Sequence, residues 1–212
     1  MLRSRQSKTL IVESLFPSFL YNEIIPFDMD LDYIKDLEYE RYGDGTGYTS
    51  TNQTILLEKP FTELKKQIDH HINVLHYEVL QSCQGIPVHV SSWINYHTPG
   101  DYAPVHNHTN AYYSGVYYLN APIDGGGIFF HHPQLMRSRM LKVQYHTDNI
   151  WNSDIYFHEL QKNSLLIFPS NLPHSTQVNK SNQNRYSLAF NYFIEGQFGS
   201  QTSKINLRVI TK

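Results

Sequence analysis

Cysteine is all but missing from this 212-residue chain, with Cys83 standing alone. One thiol excludes an intrachain disulfide and any thiolate metal cluster supplied by this chain, and leaves a small half-buried residue at a helix end as its expected role. Long apolar runs are lacking as well: none approaches the ~20 residues that a membrane-crossing helix needs. The opening MLRSRQSKTLIVESLF has neither the long apolar region nor the small-residue cleavage site of a signal peptide. A soluble, cytoplasmic protein is expected. Nor is there a surplus of either charge, since 17 Lys and Arg face 19 Asp and Glu for a formal net charge of −2. With no basic excess there is no general attraction to nucleic acid or to an anionic membrane, and neither is expected as a partner.

Aromatic residues and histidine are abundant: 16 Tyr, 11 Phe and 12 His. Aromatic enrichment favours strands, and many imidazoles leave room for a metal site. The length suits one domain, read as an N-terminal strand with helices over 1–85, a β core over 86–198 and an extension over 199–212. Residues 1–26 read as a leading strand broken by Pro17 and ended by Pro26. Leu31, Ile34 and Leu37 predict a short helix over 29–40, followed by a loop over 43–52. Phe61, Leu64, Ile68, Ile72, Leu75 and Val79 recur at three and four residues, the pattern of a helix covering one face of a sheet. Beyond Gly85 short strands alternate with turn residues, the rhythm of a jelly roll. Strands are expected over 88–96, 103–108, 112–119, 127–131, 140–145, 164–168 and 185–194, with a further edge strand within 200–212.

His106 and His108 are spaced by one residue. In an extended segment such residues point to the same side, about 6.6 Å apart, so both imidazoles can converge on one ion. The best third donor is His174, which follows the apolar run Leu165 to Phe168 and the turn PSNLPH. Eleven residues further on, RYSLAFNYF alternates: Arg185, Ser187, Ala189, Asn191 and Phe193 share one face, while Tyr186, Leu188, Phe190 and Tyr192 share the other. The second face belongs in a core. The first sets a guanidinium beside a hydroxyl at a strand start, suited to a small carboxylate.

Three blocks resemble the prolyl-4-hydroxylase-like branch of the 2-oxoglutarate- and Fe(II)-dependent oxygenases: GDYAPVHNH (100–108), GVYYLN with GGGIFF (115–120 and 125–130), and IFPSNLPH with RYS (167–174 and 185–187). HNHTNAYYSGVYYL is similar to a largely uncharacterised group within that superfamily. The resemblance spans about residues 93–194. It implies a mainly β fold with flanking α, a double-stranded β-helix (cupin-like jelly roll) with the N-terminal helices packed on the outer sheet. It also implies Fe(II), 2-oxoglutarate and O2 as cofactors, with release of succinate and CO2. His106 and His174 would be iron ligands, Arg185 would hold the C5 carboxylate of 2-oxoglutarate, and Ser187 and Tyr118 would add hydroxyls.

At His108 the sequence departs from the family, which usually places Asp or Glu there. Either His108 ligates, or it stands behind the ligands and water takes the place, or a carboxylate such as Asp101 reaches in. The spacing favours the first, a three-histidine site holding iron more weakly for want of a negative charge. Val116, Ile128, Phe130, Ile167 and Phe190 are expected to wall the cleft, and Arg137, Arg139 and Lys142 to lie near its mouth on a solvated strand. His131 and His132 read as rim, His70 and His71 as a solvated helix face, and Trp93 and Trp151 as packing. The substrate class stays open between small molecule and peptidyl side chain, and a homodimer is compatible with the sequence. Two rivals remain at this point: a cupin-like metalloenzyme without 2-oxoglutarate, which Arg185 and Ser187 argue against, and a non-enzymatic β-sandwich binding module.

Overall fold

The computed structural model describes residues 16–41, 46–133 and 143–210. Among these residues the strands are β1 (Tyr21–Ile24), β2 (Tyr39–Arg41), β3 (Tyr48–Ser50), β4 (Ile86–His97), β5 (Tyr113–Tyr118) and β6 (Ile128–His131). They continue with β7 (Ile155–His158), β8 (Ser164–Pro169), β9 (His174–Thr176), β10 (Arg185–Phe198) and β11 (Ile205–Leu207). The helices are α1 (Leu31–Lys35) and α2 (Thr62–Asn73), the latter running on through a π-helical stretch over Val74–Val79. A large sheet has the order β1-β8-β5-β10-β4-β3-β2, with β11 added to β10, and a small sheet has the order β7-β6-β9. All named pairings are antiparallel. This is the expected jelly roll, and no helix among the described residues is long and apolar enough to cross a membrane.

Side-chain alternation divides the molecule into layers. On β10, Tyr186, Leu188, Phe190 and Tyr192 join the core beneath α2, together with Ile94 of β4 and Leu165 and Ile167 of β8. From α2 come Leu64, Ile68 and Ile72, each at most 1% exposed and spaced by four residues. The helix therefore braces the outer face of the large sheet, as its periodicity predicts. Between the sheets lies a second cluster of Tyr118, Ile128, Phe130, Leu166, Phe168 and Leu172, with Val116 packed against it. Ile167 and Phe190 are thus not cleft walls, contrary to expectation. Strand parity decides this: their neighbours Leu166 and Phe168, and Ala189 and Asn191, take the inner face.

Gly115, in the middle of β5, shows how tightly the outer layer is packed. A Cβ there would stand 2.2 Å from Phe190 Cζ and 2.6 Å from the Leu166 carbonyl oxygen. Gly115→Ala is expected to destabilise the fold by about 2 kcal/mol or more through overpacking, measurable by chemical unfolding.

Several local expectations are corrected. The helix over 29–40 is only five residues long, and Tyr39 instead opens β2, its ring 4.8 Å from that of Tyr96. Residues 48–50, expected as loop, form β3, which pairs with β2 and β4. Only His106 of the 103–108 segment makes a ladder contact, a single bridge to His174. Strand β7 was not foreseen. Of the strand expected over 140–145, residues 140–142 lie outside the described residues, and 143–145 are not strand. Arg137, Arg139 and Lys142 also lie outside the described residues, as do positions 1–15 of the leading strand. Cys83 is exposed rather than half-buried.

Candidate functional site

Backbone hydrogen bonding brings two of the three histidines together. His106 N–H donates to the His174 carbonyl and His174 N–H to the His106 carbonyl, both at 2.9 Å, the pattern of directly opposed antiparallel residues. Their ring centroids lie 4.3 Å apart. His108 N–H donates to the Ser170 carbonyl at 2.8 Å, and its ring stands 5.4 Å from that of His106 and 5.2 Å from that of His174. One donor nitrogen from each imidazole falls within 4.8 Å of the other two, and among the described residues no carboxylate belongs to this cluster.

Hydrogen-bond partners set the tautomers. Nδ1 of His106 lies 2.8 Å from the Pro104 carbonyl and Nδ1 of His174 lies 2.9 Å from the Leu172 carbonyl. A carbonyl only accepts, so both Nδ1 atoms carry the proton. Nδ1 of His108 lies 2.7 Å from Asn191 Oδ1. Ser114 Oγ donates to the same oxygen at 2.7 Å, while Asn191 Nδ2 donates to Ser91 Oγ at 3.0 Å, so the acceptor end of the amide faces His108. Nε2 of each ring is thereby left as its available donor, a set that could hold a metal ion with the rings fixed from behind. Burial pulls the pKa of His174 down to about 3 and lowers that of His108, so these imidazoles are neutral and able to ligate at neutral pH. Asn191 is the residue that sequence reasoning placed on the right face without a role. Asn191→Leu is expected to weaken metal binding about 10- to 100-fold, as loss of such a partner does, measured by competition with a chelator of known affinity.

Asp101 does not reach the cluster. Its carboxylate accepts from Thr98 N–H at 2.9 Å and Thr98 Oγ1 at 2.6 Å. Trp93 is more than packing: its ring lies 5.8 Å from that of His108 at 29°, inside the cleft. His131 Nε2 lies 2.9 Å from Ser175 Oγ, beside the cluster rather than in it. On α2, His70 is exposed as expected, whereas His71 Nδ1 meets the Tyr21 hydroxyl at 2.7 Å. Trp151 is half exposed.

Arg185 starts β10 and is 1% exposed. Its Nη1 donates to the carbonyls of Gly125 (2.5 Å) and Gln177 (3.1 Å), and Nη2 donates to Thr176 Oγ1 (3.0 Å). These acceptors are all neutral, and no carboxylate of the described residues pairs with the guanidinium. Burial lowers its pKa, but an arginine stays charged, so the site holds an uncompensated cation. Ser187 lies on the same face and directly opposes Tyr118 of β5. Burial pushes the Tyr118 pKa up to about 12, which keeps its hydroxyl protonated. Arg185, Ser187, Tyr118 and the three histidines line one cleft of about 650 Å³, whose inner walls include Val116, Ile128 and Phe168.

His97, opposite Arg185 in the β4–β10 register, also lines this cleft and was not singled out from sequence. It is 3% exposed, and burial, reinforced by the Arg185 charge, pulls its pKa down to about 3. The unfolded chain takes up this proton near pH 6.5, before the folded chain does. The ring's contribution to stability is therefore complete above pH 6.5 and is lost as pH falls from 6.5 toward 3. Between pH 7.5 and 5, urea unfolding should show about 2 kcal/mol more loss for the natural chain than for His97→Phe.

A family model described as "Putative 2OG-Fe(II) oxygenase" matches residues 91–191. No curated protein matches. Among solved structures, a Pseudomonas putida prolyl-4-hydroxylase is 13% identical with a TM-score of 0.55, covering 84% of this chain and 94% of its own. HygX from Streptomyces hygroscopicus, with nickel, 2-oxoglutarate and hygromycin B bound, is 11% identical with a TM-score of 0.56 and 83% of both chains covered. A prolyl hydroxylase from Trichoplax adhaerens, in complex with a hypoxia inducible factor peptide fragment, is 13% identical with a TM-score of 0.52, covering 77% of this chain and 74% of its own. At such identities these structures show a shared fold. The family match adds to the fold: residues 91–191, which hold the three histidines, Tyr118, Arg185 and Ser187, are similar to the 2OG-Fe(II) oxygenase family.

Proposed function

We propose that this chain is a 2-oxoglutarate- and Fe(II)-dependent oxygenase that hydroxylates a small molecule or a peptidyl side chain, using His106, His108 and His174 as iron ligands and Arg185, Tyr118 and Ser187 to hold the remote carboxylate of 2-oxoglutarate. One observation carries the reading. A cluster of three imidazoles shares a cleft with a buried guanidinium that has no carboxylate of its own. A bound dicarboxylate supplies the missing negative charge. His106, His108 and His174 would hold Fe(II), which when bound would supply the oxidising chemistry that consumes O2 and 2-oxoglutarate and releases succinate and CO2.

The protein's own share is orientation and exclusion of water. Arg185 is held by three neutral acceptors, leaving further N–H groups to donate to the carboxylate. Tyr118, protonated at all working pH values, donates to the same group, and Ser187 stands beside it. Val116, Ile128 and Phe168 close the inner wall, strengthening these electrostatic contacts by keeping bulk water away. The substrate classes follow from similar folds, since HygX was solved with hygromycin B and the Trichoplax enzyme with a peptide. A cupin-like enzyme without 2-oxoglutarate would leave Arg185 buried to no purpose.

The test is an anaerobic titration. Fe(II) and 2-oxoglutarate added together should produce a weak visible charge-transfer band near ~500 nm, the signature of ferrous iron bearing a bidentate keto acid. Iron binding without that band, at saturating 2-oxoglutarate, would defeat the proposal.

A further inference from the structure

Among the described residues, four buried side-chain polar atoms have no hydrogen-bond partner: Thr46 Oγ1, His89 Nε2, and both ring nitrogens of His97. His89 lies on β4 near Tyr192, facing α2. The other three atoms belong to His97 and to Thr46, whose chain neighbour Gly47 packs on the His97 ring. Gly47, next to Thr46, packs so closely against His97 that a Cβ on it would stand 2.9 Å from His97 Cδ2 and 3.1 Å from Nε2. His97 is in turn the direct cross-strand neighbour of Arg185.

A buried imidazole with neither nitrogen satisfied is costly, because each desolvated polar atom forgoes the hydrogen bond it had in water. A ligand bound in the cleft would remove that cost by accepting or donating the missing hydrogen bond. Strand parity aims His97 into the cleft with Ser91, Trp93 and Asn95, whereas Ile94 and Tyr96 of the same strand face the helical layer. The neighbouring guanidinium lacks an anion, so an anion that pairs with Arg185 comes within reach of an imidazole N–H as well. A neutral imidazole always offers one N–H donor, whichever tautomer it adopts.

We infer that His97 is a cosubstrate-binding residue, donating a ring N–H to the remote carboxylate of 2-oxoglutarate beside Arg185. The inference rests on the proposed use of 2-oxoglutarate and adds a donor that the family resemblance did not supply. It separates His97 from the metal: the ring acts on the far end of the keto acid and on no iron ligand.

The experiment compares His97→Phe and His97→Asn with the natural chain in the anaerobic Fe(II) titration. Two keto acids are used: 2-oxoglutarate, and 2-oxobutyrate, which lacks the remote carboxylate. His97→Phe should raise the dissociation constant for 2-oxoglutarate about tenfold or more, the effect of losing a hydrogen bond to a charged group, while Fe(II) affinity is unchanged. Binding of 2-oxobutyrate should move by less than about twofold, and His97→Asn, which keeps an N–H donor, should recover part of the loss. Equal weakening of both keto acids would show a merely structural ring and overturn the inference, as would unchanged 2-oxoglutarate binding in His97→Phe. In either case an intact band in the natural chain leaves the function standing. A natural chain that binds iron but gives no band defeats the function and the inference together.

Discussion

Replacing His174 by alanine is expected to abolish both iron retention and turnover while leaving an apo protein that still folds. His174 is the most buried of the three imidazoles, at 6% exposure, and the only one on a ladder strand of the small sheet. Its Nδ1 proton is committed to the Leu172 carbonyl and its backbone to His106, so the Nε2 lone pair is delivered to a fixed point. With three imidazole donors and no carboxylate of the described residues, losing one leaves two imidazoles against a divalent ion. The fall in affinity should therefore exceed the roughly 100-fold typical of losing an outer partner such as Asn191. The fold should lose only about 1–3 kcal/mol, the worth of an unsatisfied Leu172 carbonyl together with a small cavity. Iron content after desalting and succinate formation read the first effect, and chemical unfolding of the apo protein reads the second. Full iron content in His174→Ala would remove this histidine from the site.

Arg185→Met should separate function from stability in the opposite sense. Breaking a buried structural ion pair ordinarily destabilises by about 3–5 kcal/mol, because the surviving partner is left charged and unpaired. Here the surviving partners are neutral: two carbonyls and the Thr176 hydroxyl. Removing an uncompensated buried cation relieves a desolvation penalty that offsets those lost hydrogen bonds. The apo variant is therefore expected within about 1 kcal/mol of the natural chain, or more stable than it. Its 2-oxoglutarate affinity should fall at least about 100-fold, since a buried charge-assisted pair and its geometry are both lost. Unfolding midpoints and the anaerobic band measure the two effects. A variant that loses several kcal/mol yet binds 2-oxoglutarate normally would make Arg185 a structural residue.

Much of the site is legible in the chain because it depends on local rules. Period-two alternation places Arg185 and Ser187 on one face and Tyr186, Leu188 and Phe190 on the other, and the structure keeps that division. The four-residue recurrence from Leu64 to Ile72 becomes the buried stripe of α2. The one-residue spacing of His106 and His108 survives as convergence even though the segment is not a strand. The errors arise where distant contacts outweigh local propensity. Tyr39 is drawn into an edge strand by its ring contact with Tyr96, and Ile167 was assigned to a cleft whose side its strand parity does not face. Trp93 and Asn191 gave no local sign of their roles, because a stacking face and an amide acceptor acquire meaning only when His108 is set against them.

By itself the sequence determined the alternation of inward and outward residues, the helix that covers the large sheet, and the chemistry available: imidazoles, one guanidinium and neighbouring hydroxyls. Tertiary structure alone decided which nitrogen of each histidine is free, that no carboxylate of the described residues joins them, and that Arg185, without a carboxylate, lies beside a His97 ring without hydrogen-bond partners. The reason is physical. Tautomer, burial and charge compensation are properties of an environment assembled from β4, β5, β9 and β10, strands separated by up to about a hundred residues of chain, and no local stretch of sequence contains that environment.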